Sequence, residues 1–395
     1  MEKIELLAPA GSFEKLKLAV AFGADAVYFG GKEFSLRARS GNFSGDEVVS
    51  ALSYLHERGK KGYIAVNVYQ RNDDIPGLID YLSYLQEIKP DGIIISNIGM
   101  LRLVKTYAKD IPVHISTQAN ITDVETARMW KDLGARRLIL ARELSLDEIR
   151  FIAANAGIDC EIFVHGAMCM AYSGRCFISK YLTGRDANQG DCAHPCRWEY
   201  YVREKSRKNE LYEIEEDERG LYLFNSKDLM LFDHIAEILK AGIVSLKIEG
   251  RIKGILYLAT VIRSYRLLID ALETGLVPEP RWRELLFEAN NRGYHDGFIL
   301  NADGYESNLG SSKAAASYDL LGYIDYDGAV LSKAPFKCGE TYGYLTPGAE
   351  EGEVAILSIH DEKGLITEQA KTDRRYGVTF SKPLPLYTVL RYAVV

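Results

Sequence analysis

The chain has 395 residues, of which 47% are hydrophobic and 26% are charged, and its formal net charge at pH 7 is −7. This composition indicates a globular protein with a large core, and the acidic balance argues against broad, nonspecific nucleic-acid binding, leaving open recognition of RNA through a local patch. The first residues lack the basic and apolar segments of a signal peptide, and no apolar run approaches the roughly 18 residues of a membrane span. We therefore expect a cytoplasmic protein with no membrane partner.

Short β-branched runs alternate with amphipathic helical patterns from residue 3 to residue 165. Near-continuous aliphatic runs are typical of strands that are buried on both faces, as in parallel sheets. The seven predicted strands are residues 4–8, 26–30, 63–68, 92–96, 113–117, 137–141 and 160–165. An eighth strand is predicted at residues 245–249, after a helix over residues 227–241. The run at 221–225 is either a ninth strand or part of an insertion.

The helices between these strands carry recognisable end signals. Glycines stand at the predicted helix-to-strand returns, where positive φ is favoured, at Gly23, Gly134 and Gly157. Capping boxes are predicted for the pairs Ser44 and Glu47, Thr122 and Glu125, and Ser145 and Glu148. No G-x-G-x-x-G pattern follows the first strand, which weakens a dinucleotide-binding interpretation. The α/β pattern therefore predicts a (β/α)8 TIM-like barrel rather than an open doubly wound sheet.

Four of the six cysteines fall in a short segment directly after the seventh predicted strand, at Cys169, Cys176, Cys192 and Cys196. Glycines 166, 174, 184 and 190 punctuate the segment, so it is a looped excursion rather than one helix. In a reducing compartment, clustered thiols favour metal binding over disulfides. The alternative is four unconnected thiols that pack as small hydrophobes.

The cysteine spacing bears on which of two kinds of metal site, zinc or iron–sulfur, is expected. Structural zinc sites pair their ligands as C-x2–4-C, whereas here Cys169 and Cys176 are separated by six residues. The looser spacing suits an iron–sulfur cluster at least as well as zinc. His165 and His194 could each replace a cysteine, but a histidine beside a cluster is more often a supporting residue.

The rest of the chain predicts a domain order. The barrel occupies residues 1–275 and includes a Cys-rich insertion at 166–220, whose densely charged part at 199–220 is interpreted as a solvated hairpin or loop. A helical linker follows at 276–317, after a long helix around 255–274. Short alternating strands with Gly-rich turns then predict a small β-barrel domain at 318–395.

In barrels of this type the chemistry lies at the carboxyl ends of the strands, and the insertion leaves from the same rim. Cations at this rim could hold a carboxylate or phosphate, although a structural ion-pair network is an equal alternative. The candidate catalytic residues are Lys247, Glu249, Arg251 and His165. The candidate substrate-binding residues are Arg37, Asn67, Gln118, Glu143, Asn225 and Lys227. Arg39 adds positive charge beside Arg37.

A peptidase would need an activated nucleophile or an open metal site. No G-x-S-x-G or H-E-x-x-H pattern is present in the sequence. Cys169 with His165, four residues away, is a conceivable dyad, but it leaves three other cysteines unexplained.

The segment E-I-F-V-H-G-A-M-C-M-A-Y-S-G-R-C-F-I-S at residues 161–179 resembles the signature of the collagenase-like peptidases, family 32 of the peptidases of unknown mechanism. The runs L-A-P-A-G, A-V-Y-F-G-G, H-I-S-T-Q and K-I-E-G-R also resemble that family, so the likeness covers most of residues 1–270. The run Q-G-D-C-A-H-P-C-R-W-E-Y is most similar to the branch of transfer-RNA uridine hydroxylases.

This resemblance implies an RNA-hydroxylating enzyme that carries a 4Fe–4S cluster and depends on prephenate, a small dicarboxylate co-substrate. It implies that Cys169, Cys176, Cys192 and Cys196 are the cluster ligands and that the substrate is the wobble uridine of transfer RNA. A collagenase-like peptidase with a Cys nucleophile and a zinc-stabilised RNA-binding scaffold stay open as alternatives. So does assembly as a homo- or hetero-oligomer, because some members of the family work as heterodimers.

Overall fold

The structure is a computed structural model that describes residues 3–35, 42–169, 171–198, 216–217, 220–221, 227–300 and 315–394. Its contacts divide the chain into two compact units. The barrel unit comprises Met1–Phe13, Asp25–Ile252 and Arg292–Ala314. The carboxyl-terminal unit comprises Glu14–Ala24, Lys253–Asn291 and Ala315–Val395. Residues 253–275, expected to belong to the barrel domain, thus group with the carboxyl-terminal strands.

The described helices are α1 (Phe13–Ala21), α2 (Gly45–His56), α3 (Ile75–Ile88), α4 (Ile98–Tyr107), α5 (Val124–Asp132), α6 (Leu146–Ala156), α7 (Ile178–Thr183), α8 (Ile235–Lys240), α9 (Ile255–Thr274) and α10 (Pro280–Glu288). The described strands before α10 are β1 (Glu5–Pro9), β2 (Ala26–Phe29), β3 (Lys61–Ala65), β4 (Gly92–Ile95), β5 (Val113–Ile115), β6 (Arg137–Ile139), β7 (Asp159–Ala167), β8 (Glu216–Asp217), β9 (Gly220–Leu221), β10 (Asp228–Met230) and β11 (Ser245–Ile248). The strands after α10 are β12 (Tyr294–His295), β13 (Tyr318–Ile324), β14 (Val330–Ser332), β15 (Phe336–Lys337), β16 (Thr341–Leu345), β17 (Glu351–His360), β18 (Ile366–Thr367), β19 (Gln369–Ala370), β20 (Arg375–Phe380) and β21 (Val389–Ala393).

Eight parallel strands form a closed barrel in the first unit. Strands β1 to β7 pair in sequence order, and β11 pairs in parallel with both β7 and β1, which closes the sheet. Strands β1, β2, β4 and β11 are buried along their whole length, as expected for strands covered on both faces. The predicted (β/α)8 TIM-like barrel is confirmed.

The helix predicted over residues 227–241 is wrong in its first half. Asp228–Met230 form strand β10, which pairs antiparallel with the end of β7 and parallel with β12, and helix α8 begins only at Ile235. These two partners lie about 60 residues away on either side, so tertiary pairing overrides the local helical pattern. Of the run predicted at 221–225, residues 222–225 lie outside the described residues, as do residues 199–215 and 218–219 of the charged segment.

The helix ends follow the predicted signals with one exception. Ser44 and Ser145 form complete capping boxes at the starts of α2 and α6. The predicted Thr122 cap is wrong, because Asp123 caps α5 and accepts a hydrogen bond from the Thr126 N–H at 2.8 Å. Asp is a stronger cap than Thr and stands one position closer to the helix.

The carboxyl-terminal unit contains helices α1, α9 and α10 and a six-stranded antiparallel barrel. The barrel order is β16, β21, β13, β14, β20 and β17, and β17 pairs back with β16. Its core includes Leu321, Val330, Phe336, Tyr344 and Leu390, which are all buried. The small β-barrel predicted from the alternating strands is confirmed. In the described part of the chain, no helix has both the length and the apolar character needed for a membrane crossing.

Candidate active site at the mouth of the barrel

A cavity of about 210 Å³ opens at the carboxyl ends of the barrel strands, where the cysteine-rich insertion meets the rim. Five rim residues from the sequence-based predictions line it: Asn67, Gln118, Lys247, Glu249 and Arg251. The insertion contributes Cys169, Cys176, Cys192 and Cys196 to the same cavity. The structure therefore brings together residues that are up to 184 positions apart, from Asn67 to Arg251.

The four cysteines share one cavity although they lie on different turns of the insertion. Cys169 is exposed, the other three are partly buried, and all four are free thiols. Positive φ at Gly166, Gly174, Gly184 and Gly190 shapes those turns, as the glycine pattern predicts. Among the described residues, no three His, Cys, Asp or Glu side chains are arranged to hold a single metal ion. The donor set is nevertheless the four-thiol set that iron–sulfur clusters use.

Arg142, which follows β6, connects the barrel to the start of the insertion. Its Nη1 donates to the Ala167 carbonyl oxygen at 2.8 Å, and its Nη2 donates to Ser173 Oγ at 2.7 Å and lies 3.7 Å from Cys169 Sγ. The guanidinium also lies 5.1 Å from the Phe163 ring centroid. Arg142 thus holds Cys169 at the cavity wall. No sequence motif indicates this role of Arg142, which depends on how the loop folds back.

Gln118 belongs to another part of the cavity wall. Asn67 Nδ2 donates to Gln118 Oε1 at 2.9 Å, and Tyr69 Oη donates to the Gln118 carbonyl oxygen at 2.9 Å. Gly174 packs against this pair so closely that a Cβ there would lie 2.9 Å from the Tyr69 ring. Gln118 Nε2 is buried and has no hydrogen-bond partner among the described residues. The cavity wall therefore holds a buried donor that a ligand can satisfy.

Polar contacts within the insertion fix its second half. Asn188 Nδ2 donates to the Cys176 carbonyl oxygen at 3.2 Å, and Arg185 Nη2 donates to the Cys192 carbonyl oxygen at 3.4 Å. The His194 N–H lies 3.3 Å from Cys192 Sγ, with His194 in the left-handed region at φ 57°. These contacts hold the backbone around Cys176 and Cys192 in place at the cavity.

Beneath the cavity, the barrel interior contains a buried ionic network. Lys247 Nζ pairs with Glu161 Oε1 at 2.8 Å, and Arg137 Nη1 lies 3.2 Å from Glu161 Oε2. Arg137 also pairs with Glu5, which accepts a hydrogen bond from Ser245 Oγ at 2.9 Å. Burial alone would raise the pKa of Glu161, but Lys247 and Arg137 hold that pKa below its ordinary value. Lys247 therefore belongs both to this network and to the cavity wall.

His114 lies beside this network and stays neutral. Its ring centroid is 4.6 Å from that of Tyr63, whose Oη donates to Glu5 Oε2 at 2.6 Å. Burial, reinforced by the positive charge of Arg137, lowers the pKa of His114 to about 3. The barrel interior thus contains a titratable group whose protonation the fold opposes.

Arg251 and Glu249 follow β11 at the rim. Arg251 is buried and donates to Ser35 Oγ at 2.7 Å and to Asn42 Oδ1. Gly30 makes room for this contact, because a Cβ there would lie 2.3 Å from Ser35 Oγ. Glu249 is held through its backbone N–H, which donates to the His165 carbonyl oxygen at 2.8 Å.

Three predicted site residues lie away from the cavity lining. His165 is buried with its ring centroid 5.2 Å from that of Tyr294, so it does not join Cys169 at the cavity as a dyad would require. Glu143 is partly buried, and burial raises its pKa against the opposing charge of Arg142. Lys227 is partly buried at the start of β10. Arg37, Arg39 and Asn225 lie outside the described residues.

Comparisons with known proteins agree with the sequence signature. The model of peptidase family U32 matches residues 11–309. The chain is 37% identical to tRNA hydroxylation protein P1 of Bacillus subtilis, over 92% of this chain and 88% of that protein. It is 34% identical to tRNA hydroxylation protein P of Escherichia coli, over 100% of this chain and 97% of that protein. It is 35% identical to the 23S rRNA 5-hydroxycytidine synthase of Escherichia coli, over 68% of this chain and 40% of that protein. Because the family model spans most of the chain and relatives match it nearly end to end, the chain belongs to peptidase family U32.

Proposed function

We propose that the protein is an iron–sulfur-dependent RNA hydroxylase that converts the wobble uridine of transfer RNA to 5-hydroxyuridine, with prephenate as co-substrate. The observation that carries this proposal is the meeting of four cysteines and three cationic side chains on one cavity at the barrel mouth. The names of the two near full-length relatives support RNA hydroxylation over peptide hydrolysis. The name of the ribosomal-RNA relative supports the same class of reaction on a different base.

Cys169, Cys176, Cys192 and Cys196 would hold the cluster. Their chemistry fits, since iron–sulfur clusters are bound by cysteine thiolates, and all four line the cavity. Such a cluster supplies one-electron redox chemistry. The protein's own contribution is to position the thiols, through the Arg142 contact to Cys169 and the carbonyl and N–H contacts of the second half of the insertion.

The cations of the cavity suit a dicarboxylate. Arg142, Lys247 and Arg251 line it, and Glu249 is the one carboxylate among the described lining residues. Guanidinium groups bind carboxylates through charge-assisted, often bidentate hydrogen bonds. The charge of Lys247 is already compensated by Glu161, so the two arginines carry most of the excess positive charge of the lining. Arg142 and Arg251 would each bind one of the two carboxylates of prephenate.

The remaining walls suit an extruded pyrimidine. Tyr28, Ile94, Ile139 and Phe163 line the inner part of the cavity with apolar surface. A base in an anticodon loop is unpaired and can leave the stack to enter such a pocket. The buried Nε2 of Gln118 would donate to a uracil carbonyl oxygen, which satisfies the orphaned donor.

The test is the hydroxyuridine content of transfer RNA from a strain that lacks the gene. Mass spectrometry should find the modification lost, restored by the intact gene, and not restored by Cys176→Ser. Cys338→Ser is the matched control, because Cys338 is exposed and lies in the carboxyl-terminal unit. Hydroxyuridine that persists without the gene, or that Cys176→Ser restores fully, would refute the proposal.

A further inference from the structure

A second groove, of about 420 Å³, adjoins the cavity in the barrel unit. Gly174 and Asn188 line both, so the two spaces meet at these residues. The remaining lining of the groove is polar or aromatic and comprises Tyr69, Gln70, Arg71, Arg175, Asp186 and Gln189. A chain lying in this groove would reach the edge of the cavity at Gly174.

The groove carries an excess of positive charge on a chain that is acidic overall. Arg71 and Arg175 are both exposed, and Asp186 is the one carboxylate among the described lining residues. Asp186 is shared, because it pairs with Lys180 at 3.0 Å and with Arg71 at 3.8 Å. Arg175 has no carboxylate partner among the described residues. Ion pairs at exposed side chains, such as that of Arg71 with Asp186, are weak, so a phosphate can compete with Asp186 for Arg71.

Aromatic side chains stand exposed on the same insertion. Phe177 is 62% exposed and Tyr181 is 79% exposed, and Tyr172 and Trp198 are exposed as well. By contrast, Tyr69 is held in place, since its Oη donates to the Gln118 carbonyl oxygen. The exposed rings of the insertion are therefore accessible for stacking on bases.

We propose that this groove, together with the exposed rings of the insertion, forms a track for single-stranded RNA, which binds the nucleotides that flank the target base. This inference rests on the proposed function, because it names where that substrate lies. Single-strand binding combines cations that contact the backbone with aromatic rings on which bases stack, and the insertion carries both. Because the groove and the cavity meet at Gly174 and Asn188, a base in the track can turn into the cavity. A protein partner would be expected to need the rings but not the arginines.

The test measures binding of an anticodon stem-loop RNA to the full-length protein by fluorescence anisotropy. The charge variant is Arg71→Ala with Arg175→Ala, and the stacking variant is Phe177→Ala with Tyr181→Ala. Matched controls lie on α6, where Arg150 is 50% exposed and Phe151 is 59% exposed. Both controls are replaced by alanine.

The stacking variant should bind the stem-loop more weakly, by about 5- to 150-fold for each base that loses its stacking partner. The charge variant should lower the slope of log affinity against log salt by about 0.7 for each lost phosphate contact. The α6 controls should change neither quantity, and iron content should be unchanged in all variants. Unchanged affinity and slope in the groove variants, or equal losses in the controls, would overturn the proposal. Loss of affinity only in the stacking variant would also overturn it, because RNA needs the cations.

This experiment is independent of catalysis. If the groove variants lose RNA affinity but no transfer RNA carries the modification, the track stands and the proposed hydroxylation fails. If the modification is made but the groove variants bind the stem-loop normally, the hydroxylation stands and the track fails.

Discussion

Replacing Glu161 by Gln removes the carboxylate on which the buried cations of the barrel converge. Glu161 is completely buried, 2.8 Å from Lys247 Nζ and 3.2 Å from Arg137 Nη1. The network of Glu5, Arg137, Glu161 and Lys247 is neutral, with two negative and two positive charges. The substitution leaves two cations and one carboxylate in the barrel interior.

The magnitude follows from the geometry. At 2.8 Å and an effective dielectric of about 20, the attraction between Lys247 and Glu161 is about 6 kcal/mol before desolvation is counted. Breaking a buried pair by removing one partner typically costs about 3–5 kcal/mol, because the other charge stays buried and uncompensated. Among the described residues, Glu161 is the one acidic partner of Lys247. We therefore expect Glu161→Gln to lower the free energy of unfolding by about 3–5 kcal/mol.

A double-mutant cycle isolates the pair. Glu161→Gln, Lys247→Met and the double variant are compared by urea unfolding followed by circular dichroism. The free energy of unfolding that the double variant loses should be smaller than the sum of the two single losses by more than about 1 kcal/mol, because the double variant removes both charges together. A loss below about 1 kcal/mol for Glu161→Gln, or strict additivity in the cycle, would refute the claim that this pair is tightly coupled.

Two further outcomes follow from individual side chains. Because the pKa of His114 is lowered to about 3, its contribution to stability is fully present above pH 6.5 and is lost as the pH falls toward 3. Between pH 6 and 5 this group should lower the wild type's free energy of unfolding by up to about 1.4 kcal/mol per pH unit. Urea titrations of His114→Asn should show no such slope. Equal slopes in the two proteins would contradict the prediction. Gly174→Ala should reduce RNA hydroxylation and iron content far more than Gly184→Ala. Both have similar positive φ, but a Cβ at Gly174 meets Tyr69 at 2.9 Å and one at Gly184 meets nothing within 4 Å. Equal effects would show that backbone strain alone matters.

The barrel could be predicted because its information is local. Each parallel strand is a short aliphatic run, and helices α2, α4, α5 and α6 each begin at a residue whose side chain caps the helix, so the pattern repeats along the chain without reference to distant contacts. Strand β10 could not be predicted in this way. Its three residues are a strand because β7 and β12 pair with them, and no local signal shows that pairing.

The ionic network was visible in part from the sequence. Glu5, Arg137 and Glu161 each interrupt an aliphatic run that was predicted to be buried, as does Lys247. Charged side chains that point into the barrel from neighbouring strands must compensate one another. Matching those at the same height in the barrel could therefore have identified Glu161 as the partner of Lys247. A structural ion-pair network was one of two interpretations of the rim cations, and in the structure Lys247 pairs with Glu161 and also lines the cavity.

The position of His165 could not be predicted from strand alternation. Counting from Glu161 and Phe163, which face the barrel interior, every second residue of β7 should face inward, including His165. The register between β7 and β11 shifts between Lys247 and Ile248, so that Ile248 pairs with His165. Such a shift redirects a side chain, and here His165 packs against Tyr294 instead of the cavity.

The most direct test of the account is the iron and acid-labile sulfide content of the protein purified without oxygen. The proposal predicts about four irons and four sulfides per chain, lost in Cys176→Ser and retained in Cys160→Ser, whose thiol is buried in β7. Protein that contains zinc or no metal, or that keeps its iron in Cys176→Ser, would contradict the assignment of these cysteines.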